Sequence, residues 1–229
     1  MKKYIRIILI AFLVLGIFGC NKKTRVATEE SLAFKQEYEA LNGKANASGK
    51  EHRSITISET NPFEKITTEE LIKKINNKES LYVYFGDPLC PWCRSVLEKA
   101  TEVAEKNGIE KIYYIKIWDN EGNEVLRSKY TLNKKNKPEL VTPATDDYYT
   151  LLKIFKDLLP DYTLTTSDGK EIKIGEKRIF APNFIYIEEG VAKTLVEGIS
   201  DKQTDSREKL TEEMLKDEEE IFNKFFIKK

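Results

Sequence analysis

Apolar and polar positions along the chain change period several times, and each change marks an element. The continuous run Leu81-Tyr82-Val83-Tyr84-Phe85 predicts a buried strand that stops at Gly86. A turn through Asp87 and Pro88 follows. From Pro91 the period becomes helical, with Val96, Leu97, Ala100, Val103 and Ala104 at three- and four-residue steps. Lys111 to Trp118 (KIYYIKIW) reads as a further strand, with Ile112, Tyr114 and Ile115 as core positions. Upstream, Ser54 to Ser58 alternates as a short strand and Asn61-Pro62-Phe63 is a turn. Thr67 with Glu70 gives a capping box for a helix whose stripe is Leu71, Ile72 and Ile75, ended by Asn76-Asn77-Lys78. Strand, helix, strand, helix, strand at these spacings predicts parallel crossovers in an α/β layer fold.

Beyond Trp118 the pattern weakens. Asp119 to Lys137 reads as a charged loop with a short helix from Glu124 to Tyr130. Asp146 to Leu159 predicts a helix carrying Tyr149, Leu152, Ile154, Phe155 and Leu159, stopped by Pro160. Tyr162 to Thr166 and Glu171 to Ile174 form a hairpin through Ser167-Asp168-Gly169-Lys170. Ile179 to Ile187 (IFAPNFIYI) is an apolar strand entered through Pro182, unusual because proline cannot donate to a ladder. Glu188-Glu189-Gly190 turns the chain into a return strand, Val191 to Val196. Leu210, Met214, Leu215, Ile221, Phe222, Phe225 and Phe226 predict a C-terminal helix covering one sheet face.

The N-terminus belongs to a different class. Lys2, Lys3 and Arg6 form a positive start, and Ile5 to Phe18 is otherwise apolar before Gly19-Cys20. That is a secretory signal, too short and wrongly flanked for a comfortable membrane span. Ile17-Phe18-Gly19-Cys20 resembles a lipobox, which implies cleavage after residue 19 and a lipidated Cys20, palmitate being one acyl chain. An uncleaved N-terminal anchor is the alternative. Both put the domain outside the cytoplasm at a membrane surface, and a lipobox implies a bacterial envelope. Residues 20–52 then form a polar tether with a helical patch, Thr28 to Leu41, able to dock on the domain through its apolar positions Leu32, Phe34, Tyr38 and Leu41. His52 reads as a solvated linker histidine. The globular domain is expected over 53–229, with an insertion at about 119–178.

Composition narrows the chemistry. With 38 basic and 38 acidic residues the net charge is zero, and no basic, aromatic-rich segment suggests nucleic acid as a partner. At 229 residues there is chain enough for one sizeable core plus tether and insertion. Three cysteines leave no even-numbered disulfide framework: Cys20 stands in the signal, and Cys90 and Cys93 stand together in Cys90-Pro91-Trp92-Cys93. Those two lie where a buried strand hands over to a helix N-terminus. Unpaired N–H groups and the helix dipole there favour a thiolate at Cys90. Pro91 suits the first turn because its missing N–H would have no partner anyway. A bare C-x-x-C is equally half of a zinc site, but zinc needs three or four ligands and only Cys20 and His52 remain.

The strand, the C-P-W-C and the following helix resemble the active-site segment of the thioredoxin superfamily. The resemblance spans roughly Ile55 to Phe226 as architecture, and its sharp motifs are the C-x-x-C and one proline. It implies a thioredoxin-like fold: a central mixed sheet flanked by helices, with a helix-plus-hairpin insertion before the cis-proline strand. It also implies that Pro182 is that cis-proline and that the backbone of Ala181 pairs with substrate. Cys90 is then the nucleophile and Cys93 the resolving thiol, with the Cys90–Cys93 disulfide serving in place of any cofactor and no metal required. Trp92 and Pro91 would contact substrate, simple packing being the alternative for Trp92. Arg94 would lower a thiol pKa or be solvated.

One departure stands out. Thioredoxins carry a buried carboxylate ahead of the first cysteine, and Tyr84 occupies its place; Asp87 and Tyr84 are the local candidates for proton handling. The expected activity is thiol–disulfide exchange on protein cysteines or disulfides, with a membrane electron-transfer partner in the reductase version. The direction of electron flow is open. A non-catalytic surface lipoprotein that binds a peptide or partner protein is the competing reading, and an accessory protein for one secreted substrate is a third, by analogy alone.

Overall fold

Successive residues of a strand face opposite ways, and that rule divides the apolar sequence between two cores. Tyr84 shares one core with Tyr114 and Phe184, whereas Val83 and Phe85 share the other with Ile115, Ile185 and Ile187. A strand buried on both faces belongs in mid-sheet, between layers of helix. The computed structural model describes residues 25–119 and 121–226. The signal segment 1–19 and Cys20 therefore lie outside the described residues.

In chain order the first half comprises α1 (Glu29–Glu39), β1 (Phe63–Lys65), α2 (Thr68–Asn76), β2 (Leu81–Gly86), α3 (Pro91–Lys106) and β3 (Ile112–Lys116). Then come β4 (Lys129–Leu132), β5 (Pro138–Thr142), α4 (Asp146–Ile154), β6 (Asp161–Thr165) and β7 (Glu171–Lys177). The chain closes with β8 (Asn183–Glu188), β9 (Val191–Val196) and α5 (Glu212–Phe225). The central sheet has the order β1-β3-β2-β8-β9. β1 and β2 each pair parallel with β3, while β8 runs antiparallel to β2 and β9 antiparallel to β8. Helices α1, α3 and α5 cover one face; α2 and α4 cover the other. This is a mixed α/β architecture with a central mixed sheet flanked by helices.

Local chemistry sets the element ends. Thr67 and Glu70 form both bonds of their capping box, and Thr145 and Thr211 accept the N–H groups of Tyr148 and Met214. Such a cap contributes about 1 kcal/mol. Gly198, at φ 78°, lies where a Cβ would come within 2.2 Å of the Phe222 ring, so α5 closes against a bare backbone.

Several sequence expectations change. Ser54 to Ser58 is extended but joins no ladder, because side chains take its N–H groups: Asn42 Oδ1 accepts from Ile55, Glu98 from Thr56 and Glu39 from Ile57. Its alternation reflects Ile55 and Ile57 entering the core, and the first strand is β1, which starts at Phe63, the last residue of the expected turn. Residues 124–130 hold no helix. Lys129–Leu132 and Pro138–Thr142 pair instead as a hairpin, whose largely exposed positions left no period to read. α4 ends at Ile154, and the chain tightens through a turn (Leu158 N–H to Phe155 O) before Pro160. The helical patch of the 20–52 tether docks on the domain as α1, with Phe34 and Tyr38 buried against Phe63 and Tyr114, while most of 43–51 stays exposed. His52 is buried rather than solvated, and burial pulls its pKa down.

Glu218 on α5 is also fully buried, and neither carboxylate oxygen has a hydrogen-bond partner among the described residues. Burial pushes its carboxyl from the ordinary 4.5 up to about 8, against the attraction of Arg53 and Lys99. A raised folded-state pKa means that the folded protein holds a proton the unfolded chain releases. The stability this confers is complete below about pH 4.5 and is lost as the pH climbs to about 8. Urea midpoints measured from roughly pH 5 to pH 9 should therefore fall in the wild type and fall less in Glu218→Gln. Parallel profiles for the two proteins would contradict this assignment.

Candidate active site

The apolar run of β2 ends at Gly86 and delivers the chain to a turn shaped by one carboxylate. Asp87 is buried, its Oδ1 accepting the N–H of Leu89 at 2.8 Å and its Oδ2 that of Trp118 at 3.2 Å. Its backbone oxygen accepts from Cys90 N–H at 3.1 Å. Burial raises the Asp87 carboxyl to about 6. Cys90 is then the N-cap of α3, with Pro91 at the first helical position. The Cys93 N–H points at Cys90 Sγ, 3.4 Å away.

The two thiols are unlike. Cys93 is wholly enclosed, whereas Cys90 keeps 5% of its surface exposed. The Cys90 pKa is lowered, first by the Cys93 thiol donating to it and then by the N–H groups of Cys93 and Trp92. Burial holds the Cys93 pKa well above the ordinary thiol value. One sulfur is thus disposed to ionise at the surface and the other to stay protonated beneath it. That asymmetry suits attack by Cys90 and resolution by Cys93.

The second wall comes from the loop before β8. The Ala181–Pro182 peptide bond is cis, and the Cys90 thiol donates to the Ala181 carbonyl oxygen at 3.3 Å. Asn183 fixes this loop by accepting from Phe180 N–H at 2.8 Å and donating to Pro182 O at 2.9 Å. Trp92 and Ala181, both half-buried, pack against the cluster that holds the two cysteines, and Pro91 is half-buried beside them. Cys90, Pro91, Trp92, Cys93, Ala181 and Pro182 therefore converge. Among the described residues, no group of three or more His, Cys, Asp or Glu is arranged to hold a metal ion.

Other residues hold the site without any motif. Arg94, read from sequence as a surface or thiol-tuning cation, is wholly buried. Its guanidinium donates to Arg53 O, Tyr38 O and Asn42 Oδ1, each at 2.7 Å, and to Pro88 O at 3.4 Å. Glu124, from the insertion, meets both the Trp118 indole and Arg127, and Arg127 donates onward to Ile179 O at 3.2 Å. Asp87, Trp118, Glu124 and Arg127 thus link the cysteine turn to the proline loop. One signal was available: among the described residues no lysine is buried, whereas Arg94, Arg127 and Arg178 are. A planar fork of donors suits enclosed carbonyls better than an ammonium does.

No protein-family model matches this chain, and a search of curated proteins finds no match either.

Arg94→Met would strand several enclosed acceptors, each costing about 1–3 kcal/mol when left unsatisfied. The expected result is a stability loss of roughly 3 kcal/mol or more by urea unfolding, with Arg94→Lys recovering only part of it. A methionine variant as stable as the wild type would remove Arg94 from the structural account.

Proposed function

We propose that the protein is a thiol–disulfide oxidoreductase of thioredoxin-like fold, acting on protein cysteines or disulfides through Cys90 and Cys93. The observation that carries this reading is the juxtaposition of an ionisable Cys90 at a helix N-terminus with the Ala181 carbonyl of a cis-proline loop. Strand order supports the fold assignment: a β-α-β-α-β half with parallel strands is completed by an antiparallel hairpin and a terminal helix.

In the reductive direction the Cys90 thiolate attacks one sulfur of a substrate disulfide. The Cys90–substrate S–S bond forms, the substrate S–S bond breaks, and the departing thiolate takes a proton from solvent. Cys93 then gives up its proton and attacks Cys90 Sγ, forming the intramolecular disulfide and releasing the second substrate thiol. Two electrons pass from the protein dithiol to the substrate. The same steps in reverse oxidise a substrate dithiol, and a dithiol or disulfide partner resets the pair in either case. The exposure difference assigns the roles, since only Cys90 offers a surface for an incoming sulfur.

Oxidised glutathione is a sufficient probe. The wild type should pass to the Cys90–Cys93 disulfide. Cys93→Ala should stop at a single glutathione adduct on Cys90, reversed by dithiothreitol, and Cys90→Ala should react far more slowly. Intact mass spectrometry reads all three. Equal reactivity of the two single variants, or no disulfide in the wild type, would contradict the mechanism.

A further inference from the structure

Strand direction sets the two ends of the sheet apart. β2 and β3 run parallel with Gly86 opposite Lys116, so the turn carrying Cys90 leaves from one end. β8 runs antiparallel to β2, which brings Ala181 and Pro182 to that same end. At the far end lie Lys111, the start of β2 and the turn between β8 and β9. There Gly190 N–H donates to Glu79 O at 3.1 Å, and Glu189 N–H to Ser80 Oγ at 2.9 Å.

The described chain begins at this far end. Arg25 donates from Nη1 to Ile109 O at 2.8 Å and from Nη2 to Glu110 O, in the loop between α3 and β3. The start of α1 is fixed there too: Asn61 Nδ2 donates to Ser31 O at 2.7 Å, and Ile112 N–H to the neighbouring Pro62 O at 2.8 Å. Between that end and the cysteines stands the whole of α3, whose 16 residues make it about 24 Å long.

The lipobox expectation puts a lipid on Cys20, five peptide steps before Arg25. Five steps span no more than about 18 Å even when fully extended. With the dithiol facing the bilayer, Arg25 would stand about 24 Å or more from it, beyond the reach of that tether. The domain can then lie on its far end or on a flank. Exposed apolar surface favours the end: Val26, beside Arg25, is 77% exposed, and Val191, at the β8–β9 turn, is 53% exposed.

We propose that this far end is a lipid-facing surface, seated on the membrane through Val26 and Val191, with Cys90 and Cys93 held away from the bilayer in the aqueous space. The partner of the dithiol is then a water-exposed protein segment, not a thiol or disulfide at the level of the headgroups. The orientation rests on the lipid anchor alone, whereas the nature of the partner rests on the exchange reading as well.

Energy transfer to lipid tests this on the full-length protein, purified from the membranes in which it is made. It is reconstituted in phosphatidylcholine–phosphatidylglycerol vesicles with an acceptor dye on a fraction of the headgroups. The donor dye stands on Cys90 in Cys93→Ser, or at the far end in Glu110→Cys combined with Cys90→Ser and Cys93→Ser; Glu110 is exposed. The acceptor density that halves donor emission should be several-fold higher for the Cys90 label than for the far-end label. Val26→Asp with Val191→Asp should narrow that ratio, because the end face loses its hold on lipid. Equal densities, the reverse order, or a ratio unmoved by the two aspartates would overturn the proposal. So would a wild type that fails to float with the vesicles, since the anchor would then be absent. Failure of the wild type to form its disulfide with oxidised glutathione would remove the exchange reading and the partner with it, while the transfer measurements would still decide the orientation.

Discussion

A cation enclosed by protein has to be met by something, and Arg94 is met by carbonyl and amide oxygens, with no carboxylate in ion-pair contact among the described residues. Those oxygens belong to α1, to the stretch after it and to the turn that carries Cys90. One guanidinium thereby fixes three segments that share no strand pairing. A buried charge left without such partners is strongly unfavourable, so the three segments and the first turn of α3 come together as a unit. The position of Tyr38, whose carbonyl Arg94 holds and whose hydroxyl meets that of Tyr84, follows from that requirement.

Around this fixed turn the sulfurs are distinguished by depth and hydrogen bonding. Cys90 caps a helix and touches a carbonyl of the facing loop; Cys93 is wholly enclosed within the core that holds Tyr84, Tyr114 and Phe184. The opposite wall is held from the insertion, where Glu124 gathers Trp118, Arg127 and Arg178 near the proline loop. The insertion is therefore joined to the site by buried polar contacts, and its largely exposed hairpin β4–β5 is tied to β6 and β7 through Tyr130. Asp87 sits where both walls meet, shaping the turn with its oxygens while burial keeps its carboxyl half-disposed to hold a proton.

What the sequence disclosed was what neighbours along the chain determine. The Leu81 to Phe85 run, the capping box at Thr67, the C-P-W-C at a helix start and the proline before an apolar strand each carry their own local physics. Ser54 to Ser58 misled because alternation reports burial, and burial there is satisfied without a ladder: three side chains from α1, α3 and the loop after α1 hold its N–H groups. Tyr38, Asn42 and Arg94 were illegible for a related reason. Each acts through partners far away in sequence, and nothing local says whether a charged side chain will find enough carbonyls to be enclosed. The hairpin over 129–142 had no buried face and so no period. Arginine standing among lysines was the one faint mark of the enclosed cations.

The central claim is that Cys90 and Cys93 form a working redox couple, and the reduction potential of the full-length protein tests it most directly. Equilibrated in glutathione buffers and read by mass, the pair should interconvert fully between dithiol and disulfide as a two-electron couple. Its potential should fall within about −270 to −120 mV, the span from thioredoxin to the strongest envelope oxidants. A pair that stays locked in one state across all buffers would contradict the account and leave the cysteines a structural role.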